Sequence, residues 1–213
     1  MRLLGQSVEA RYLELLEEKF TFPENGYEGE YIKNIAKNIY EKYSDTLLDK
    51  DEDNTFRKEA ESYIFKDINL TLKKLGISFD SFFNENTLYD NKAIYKVIDD
   101  LKTKDLIYEK DGAVWFNGTK VGRENDRVLI KKSGEPTYRL PDMAYHIDKL
   151  NRGYDLCIDI FGADHMDAFP DVLEVVHQLG YDKTKIHVLI HQFISILKNG
   201  KQVKMSTRKA TFI

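Results

Sequence analysis

Leu156-Cys157-Ile158-Asp159-Ile160-Phe161-Gly162-Ala163-Asp164-His165 is the stretch on which the fold turns. A mostly apolar run ends abruptly at a glycine. Asp167 to Leu179 then carries apolar residues at helical spacing and stops at Gly180, and Ile186 to Ile190 is a second apolar run. Strand, helix and strand in that order predict a parallel pair joined by a right-handed crossover. In such sheets ligands bind beyond the C-terminal ends of the strands. Gly162-Ala163-Asp164-His165 occupies such an end and is a candidate site.

Upstream, Asp142 to Leu150 reads as a helix. Arg127 to Lys131 and Pro136 to Arg139 flank Ser133-Gly134, and Leu106 to Glu109 and Val114 to Asn117 flank Asp111-Gly112, so each set predicts a hairpin. Ala93 to Leu101 is helical and Phe79 to Phe83 is a short aromatic strand candidate. Further towards the start, Val8 to Phe20, the repeat Ile32, Ile35, Ile39 and Tyr43, and Asn54 to Leu75 predict three helices, the last stopped by Gly76. Downstream, Asn199-Gly200 is a hairpin turn leading into Val203-Lys204-Met205-Ser206. The expected organisation is therefore α/β, in three parts. Residues 1–78 form a helical insertion, residues 79–135 a small β-rich connective part, and residues 136–213 the end of the α/β sheet.

Composition narrows the function. Hydrophobic residues at 42% and aromatic residues at 12% supply a real core and exclude a disordered chain. One cysteine, Cys157, cannot form an internal disulfide. No apolar run is long enough to cross a membrane, and the start lacks the apolar stretch of a signal peptide. These features predict a cytoplasmic protein. The formal charge of −4 argues against a general nucleic-acid binder. After Asp182, however, there is no acidic residue, while Lys183, Lys185, Lys198, Lys201, Lys204, Arg208 and Lys209 all lie there. Such a positive end suits a local phosphate site, or simply a solvated basic edge.

Three short segments carry chemistry. Lys204-Met205-Ser206, with Arg208 close behind, places cations on a loop where a triphosphate could shed pyrophosphate. Gly162 permits close backbone approach, and Asp164 offers a carboxylate to ribose hydroxyls. The same turn also reads as an ordinary helix cap. Thr137-Tyr138-Arg139-Leu140-Pro141-Asp142 combines a phenol and a carboxylate, which together suit a planar guanidinium. Taken singly, Tyr138 also reads as a core aromatic and Asp142 as a helix cap.

In this order and spacing the three segments resemble the catalytic domain of class I aminoacyl-tRNA synthetases, and specifically the arginyl-tRNA synthetase family. The helices of residues 1–75, with Ser7-Val8-Glu9-Ala10-Arg11-Tyr12, resemble the part that precedes it in bacterial-type members. The resemblance implies the second half of a Rossmann-like nucleotide-binding domain, interrupted by a helical and a small β-rich insertion. It implies an enzyme that activates arginine with ATP, accompanied by Mg2+, and transfers it to tRNA. Tyr138, Asp142 and His165 would bind arginine. Gly162, Asp164, His165, Lys204, Met205 and Ser206 would bind ATP, and Lys204 and Arg208 would be catalytic. No protein-built metal site is implied. His146, His177, His187 and His191 are assigned to structure.

The sequence departs from the family in two ways. A His-x-Gly-His element is absent from these residues, and Thr207 stands where many members have a second lysine. The missing element and the missing anticodon-binding domain predict that the isolated chain neither forms arginyl-adenylate nor charges tRNA. Its partners would be arginine, ATP and the tRNA for arginine. The parent enzyme is expected to be monomeric, whereas open sheet edges would let this piece self-associate. Two rivals remain open: a metal-dependent hydrolase built on Asp164, His165 and Asp167, and a non-catalytic RNA-binding piece using the basic end.

Overall fold

Apolar residues at helical spacing decide the first part of the chain. In the computed structural model, which describes residues 2–48, 54–192, 194–203, 205, 206, 208 and 209, they lie on α1 (Arg2–Leu15), α2 (Glu30–Tyr43) and α3 (Thr55–Lys74). Leu4, Val8 and Tyr12 from α1 meet Ile32, Ile35 and Ile39 from α2 and Phe56 and Ala60 from α3 in one core. Tyr12 is fully buried, and its hydroxyl donates to the Ser44 carbonyl at 2.5 Å. Its ring meets Phe56 edge-on at 5.1 Å. A Cβ on Gly5 would lie 3.2 Å from Arg57 Cβ, so the missing side chain lets α1 and α3 approach closely.

The chain divides into two compact units, Met1–Asp80 with Ser195–Ile213, and Ser81–Ile194. The second contains α4 (Asn86–Asp90), α5 (Ala93–Thr103), β1 (Ile107–Lys110), β2 (Ala113–Phe116), β3 (Arg127–Ile130), α6 (Arg139–Asn151), β4 (Cys157–Gly162), α7 (Phe169–Gln178) and β5 (Ile186–His191). Strands β1, β2 and β3 form an antiparallel sheet. Its first turn has positive φ at both Asp111 and Gly112, a geometry that matches the twist of a two-residue hairpin. Strands β4 and β5 pair in parallel from Cys157 opposite Ile186 to Gly162 opposite His191, with α7 between them in the chain. The crossover predicted from residues 156–190 is therefore present. The core of this unit gathers Leu101, Phe116, Leu129, Leu140, Met143, Val172, Val175 and Val176.

Strand β4 alternates, with Cys157 and Asp159 buried and Ile158 and Ile160 exposed by 56% and 70%. Leu189 on β5 is exposed as well. One face of the parallel pair is thus apolar and open.

Two expectations need correction. The segment Phe79 to Phe83 is irregular rather than a strand, with Phe79 and Phe82 exposed. A short apolar run forms a strand only where a neighbour accepts its ladder hydrogen bonds; here Asn84 instead accepts from the Asn86 amide at the start of α4. The second hairpin shrinks to a single bridge between Ile130 and Pro136. Its outgoing arm ends early because α6 begins at Arg139, with Pro141 tolerated in its first turn.

In the first unit, β6 (Ile196–Lys198) and β7 (Lys201–Val203) form the expected hairpin, with positive φ at Asn199 and Gly200.

Candidate active site

Helix α6 carries Asp142, Tyr145, His146 and Lys149 at spacings of three and four, so they share one side of the helix. Tyr138 immediately precedes α6 in right-handed helical geometry, not at a strand end. Its ring is 61% exposed, which removes the reading of a core aromatic. The Arg139 guanidinium lies over it at 4.9 Å from the centroid. Arg139 is directed towards Asp171, at 3.7 Å, and the same carboxylate accepts from Arg123 Nε at 3.1 Å and Arg127 Nε at 2.8 Å. Asp171 is 1% exposed, a buried anchor shared by three guanidinium groups.

Asp142 lies one turn into α6 and is half-buried. It lines a cleft of about 250 Å³ with Phe83, Glu85, Leu88, Pro141 and Tyr145. Phe83 and Tyr145 stack at 4.5 Å. Burial pushes the Asp142 carboxyl above its ordinary value, and the positive fields of His146, His165 and Lys149 act against that rise. A carboxylate in this condition gains from an added cation.

The influence of His165 on Asp142 links α6 to the end of β4. Gly162 closes that strand at φ −69° and ψ 160°, and a short 3-10 turn of Ala163, Asp164 and His165 follows. Such extended backbone is open to any residue, so the turn itself does not demand glycine. His165 is exposed, with its ring stacked on Phe161 at 5.1 Å. Asp167 is also exposed. Among the described residues no three His, Cys, Asp or Glu side chains cluster to hold a metal ion.

The remaining candidates belong to the first unit. Met205 is half-exposed and Arg208 exposed. Ser206 Oγ accepts from the Lys209 amide at 3.2 Å. The Arg208 carbonyl accepts from the Glu28 amide at 2.8 Å, and its guanidinium lies 5.9 Å from the centroid of Tyr27. Lys204 and Thr207 lie outside the described residues.

The sequence reading passed over a network behind Asp142. The alternation of β4 turns Asp159 inward, where it is 8% exposed. His146 Nε2 lies 2.9 Å from Asp159 Oδ2, and His146 Nδ1 lies 2.8 Å from the Asp142 carbonyl. Lys149 Nζ donates to Asp159 Oδ1. Burial alone would raise the Asp159 carboxyl, but hydrogen bonds and positive charge from His146 and Lys149 hold it below the usual value. The signals were an acidic residue at an inward position of an apolar strand and the helical stripe of Asp142, His146 and Lys149.

The family described as tRNA synthetases class I (R), catalytic domain, matches residues 11–213. An arginine–tRNA ligase from Desulfotalea psychrophila is 54% identical over 213 residues, covering 100% of this chain and 39% of that protein. One from Chlorobaculum parvum is 50% identical over 98% of this chain, again 39% of the relative. A Campylobacter jejuni crystal structure bearing the name arginyl-tRNA synthetase superposes with a TM-score of 0.83 at 34% identity, over 95% of this chain and 45% of that one. The Thermus thermophilus arginyl-tRNA synthetase superposes at 0.61 over 89% of this chain and 40% of its own, and at 17% identity that likeness speaks for the fold alone.

Proposed function

Because this chain belongs to the arginine class of class I tRNA synthetase catalytic domains, we propose that it forms the arginine-binding part of an arginine–tRNA ligase. The complete enzyme would be the catalyst, since the chain spans 39% of the length of the curated relatives quoted above. The observation that carries the reading is the Asp142 carboxylate, half-buried, lining a cleft with aromatic walls and lying within the field of His165. Such a group suits a planar cation with several donors, because a carboxylate can take two parallel N–H bonds from one guanidinium. Tyr138, exposed beside the start of α6, offers a ring and a hydroxyl to the same cation.

The proposed reaction is that of the family to which the chain belongs. An oxygen of the substrate arginine carboxylate attacks the α-phosphorus of ATP, which arrives with Mg2+. The bond to the bridging oxygen breaks, and pyrophosphate leaves with that electron pair. A hydroxyl at the tRNA 3′ end then attacks the arginyl carbonyl; the bond from that carbon to the AMP phosphate oxygen breaks, AMP departs with its electron pair, and the hydroxyl proton is released. Gly162, Asp164 and His165 would hold adenosine at the end of β4. Lys204, Met205, Ser206 and Arg208 would bind the phosphates, with Lys204 and Arg208 neutralising the charge that develops on pyrophosphate. The parallel pair of β4 and β5 with its crossover supports placement in a Rossmann-like sheet. The open apolar face of Ile158, Ile160 and Leu189 fits that placement, because parallel sheets are normally covered on both faces. The chain-order division into residues 1–78, 79–135 and 136–213 is proposed on the same footing, as is action in the cytoplasm. No described helix is long and apolar enough to cross a membrane.

The test is ATP–pyrophosphate exchange by a complete ligase carrying this segment. Asp142→Asn removes the charge opposite the guanidinium, at about 1.5–3 kcal/mol for a charged hydrogen bond. The expected result is a KM for arginine raised about ten- to a hundred-fold, with the KM for ATP much less affected. An Asp142→Asn enzyme with unaltered arginine KM would refute the assignment.

A further inference from the structure

Asp142 sits on a scaffold that the reaction itself does not use. The His146 ring is 2% exposed and lies between two acceptors, the Asp142 carbonyl and the Asp159 carboxylate. The ring thus bridges a backbone carbonyl on its own helix and a carboxylate on the neighbouring strand. Asp159 is fixed in turn by Lys149, whose ammonium also lies 5.1 Å from the centroid of Tyr145, a wall of the Asp142 cleft. An imidazole, an ammonium and a carboxylate therefore join α6 to β4, and the Asp142 carbonyl lies at one end of the chain of bonds. Buried polar groups persist only when they are hydrogen-bonded, and each of these has a partner on the neighbouring element or turn.

We propose that His146, anchored by Asp159, is the positioning residue for Asp142, fixing where that carboxylate meets the guanidinium of the substrate and so contributing to selection of arginine. The proposal rests on the assignment of Asp142 above and deepens it. Restraint is needed because Asp142 lies near the start of α6, where helix ends fray unless tied down. A carboxylate displaced by about an ångström loses a bidentate geometry that a correctly placed one keeps.

The experiment exploits the shapes of two amides. An asparagine nitrogen takes roughly the place of imidazole Nδ1, and a glutamine nitrogen roughly that of Nε2. In the complete ligase, His146→Asn keeps a donor for the Asp142 carbonyl, while His146→Gln keeps only the contact to Asp159. Arginine and ATP KM values are measured for both by pyrophosphate exchange. The expected result is an arginine KM about ten-fold higher for His146→Gln than for His146→Asn, with the two ATP KM values close together. A purely structural histidine would lower the active fraction in both variants and leave arginine KM equal in the two, which overturns the proposal. If His146→Gln does not accumulate as folded protein, Asp159→Ser carries the test. It removes the anchor without a substitution in α6 itself; an arginine KM raised about ten-fold supports the proposal, and one within about two-fold of the parent overturns it. Asp142→Asn, measured alongside, separates the two levels. If it leaves arginine KM unchanged, the arginine pocket is misplaced. If it raises arginine KM while the His146 and Asp159 variants leave it unchanged, only the positioning role fails.

Discussion

The Arg127 guanidinium donates from Nε to Asp171 Oδ2 at 2.8 Å, across 44 residues of chain, and that carboxylate is 1% exposed. With Arg123 and Arg139 converging on it, Asp171 ties β3, the start of α6 and the first turn of α7 together. Removing the carboxylate would deprive three guanidinium groups of the counter-charge they share. Removing one partner of a buried ion pair costs about 3–5 kcal/mol, and the partial exposure of the arginines argues for the lower end, about 3 kcal/mol for Asp171→Ala. Urea unfolding followed by Trp115, which lies in β2 of the same unit, reads the change. A loss no larger than that from the exposed Glu30–Lys33 pair of α2 would show that Asp171 is not an anchor.

Tyr138 gives a cleaner separation of function from stability. Its ring is mostly in solvent and is supported chiefly by Arg139. Substituting an exposed residue usually changes stability by no more than about 0.5 kcal/mol. Tyr138→Ala is therefore expected to leave the melting temperature of the chain almost unchanged, while raising the arginine KM of the complete ligase about ten-fold through loss of a stacking or hydrogen-bonding partner. A large drop in melting temperature with arginine KM unaltered would give Tyr138 a structural role and take it out of the proposed pocket.

Much of the fold was legible because its signals are local. The Asp111-Gly112 and Asn199-Gly200 turns demand positive φ at two successive residues, and few sequences other than Asn-Gly or Asp-Gly meet that demand. The runs of residues 156–161 and 186–190, with a helical pattern between, admit little besides a parallel pair. Phe79 to Phe83 was illegible because strand formation depends on a neighbour that sequence alone does not place. Of the candidate site, only the residues proposed to meet the ligand were legible. Asp142 and Tyr138 lie in one short segment, but their supports are remote: Asp159 is 17 residues beyond Asp142 and Asp171 is 32 residues beyond Arg139. Their chemistry appears only when strand alternation and helix stripes turn them towards each other. An acidic residue at an inward strand position was the one available hint, and a solvated carboxylate gives the same letter in the sequence.

The loop after β7 supplies a further test through Arg208. Its backbone is held by Glu28 and its guanidinium lies over Tyr27, both within the first unit. If Arg208 neutralises developing charge on pyrophosphate, Arg208→Ala should lower kcat for pyrophosphate exchange in the complete ligase by about 10²-fold, the effect of removing one preorganised contact to a transition-state oxygen. Arginine KM should change little, because the amino acid is assigned to other residues. A variant with normal kcat and a raised arginine KM would assign Arg208 to the wrong substrate.

The two carboxylates of the α6 scaffold make opposite predictions about pH. Burial raises Asp142 above its unfolded value, so the folded state holds this proton more tightly than the unfolded chain does. Stability is therefore lost as pH rises through the interval between the two values, and above that interval the charged Asp142 is a liability to the fold. Asp159 lies below its unfolded value despite its burial, because His146 and Lys149 favour the charged form. Its contribution is present above the unfolded value and is lost as pH falls through the folded one. Thermal melts of the chain at about pH 7.5 should then show Asp142→Asn raising the melting temperature and Asp159→Asn lowering it. At about pH 4, near the unfolded carboxylate value, the Asp142 gain should have shrunk because much of its cost has been relieved by protonation. Asp159, still ionised in the folded state there, should retain part of its effect until the pH drops further. A binding carboxylate maintained at the expense of stability is the usual mark of a functional site. If Asp142→Asn instead destabilised the chain at neutral pH, Asp142 would be a structural carboxylate, and its place in the arginine pocket would have to be surrendered.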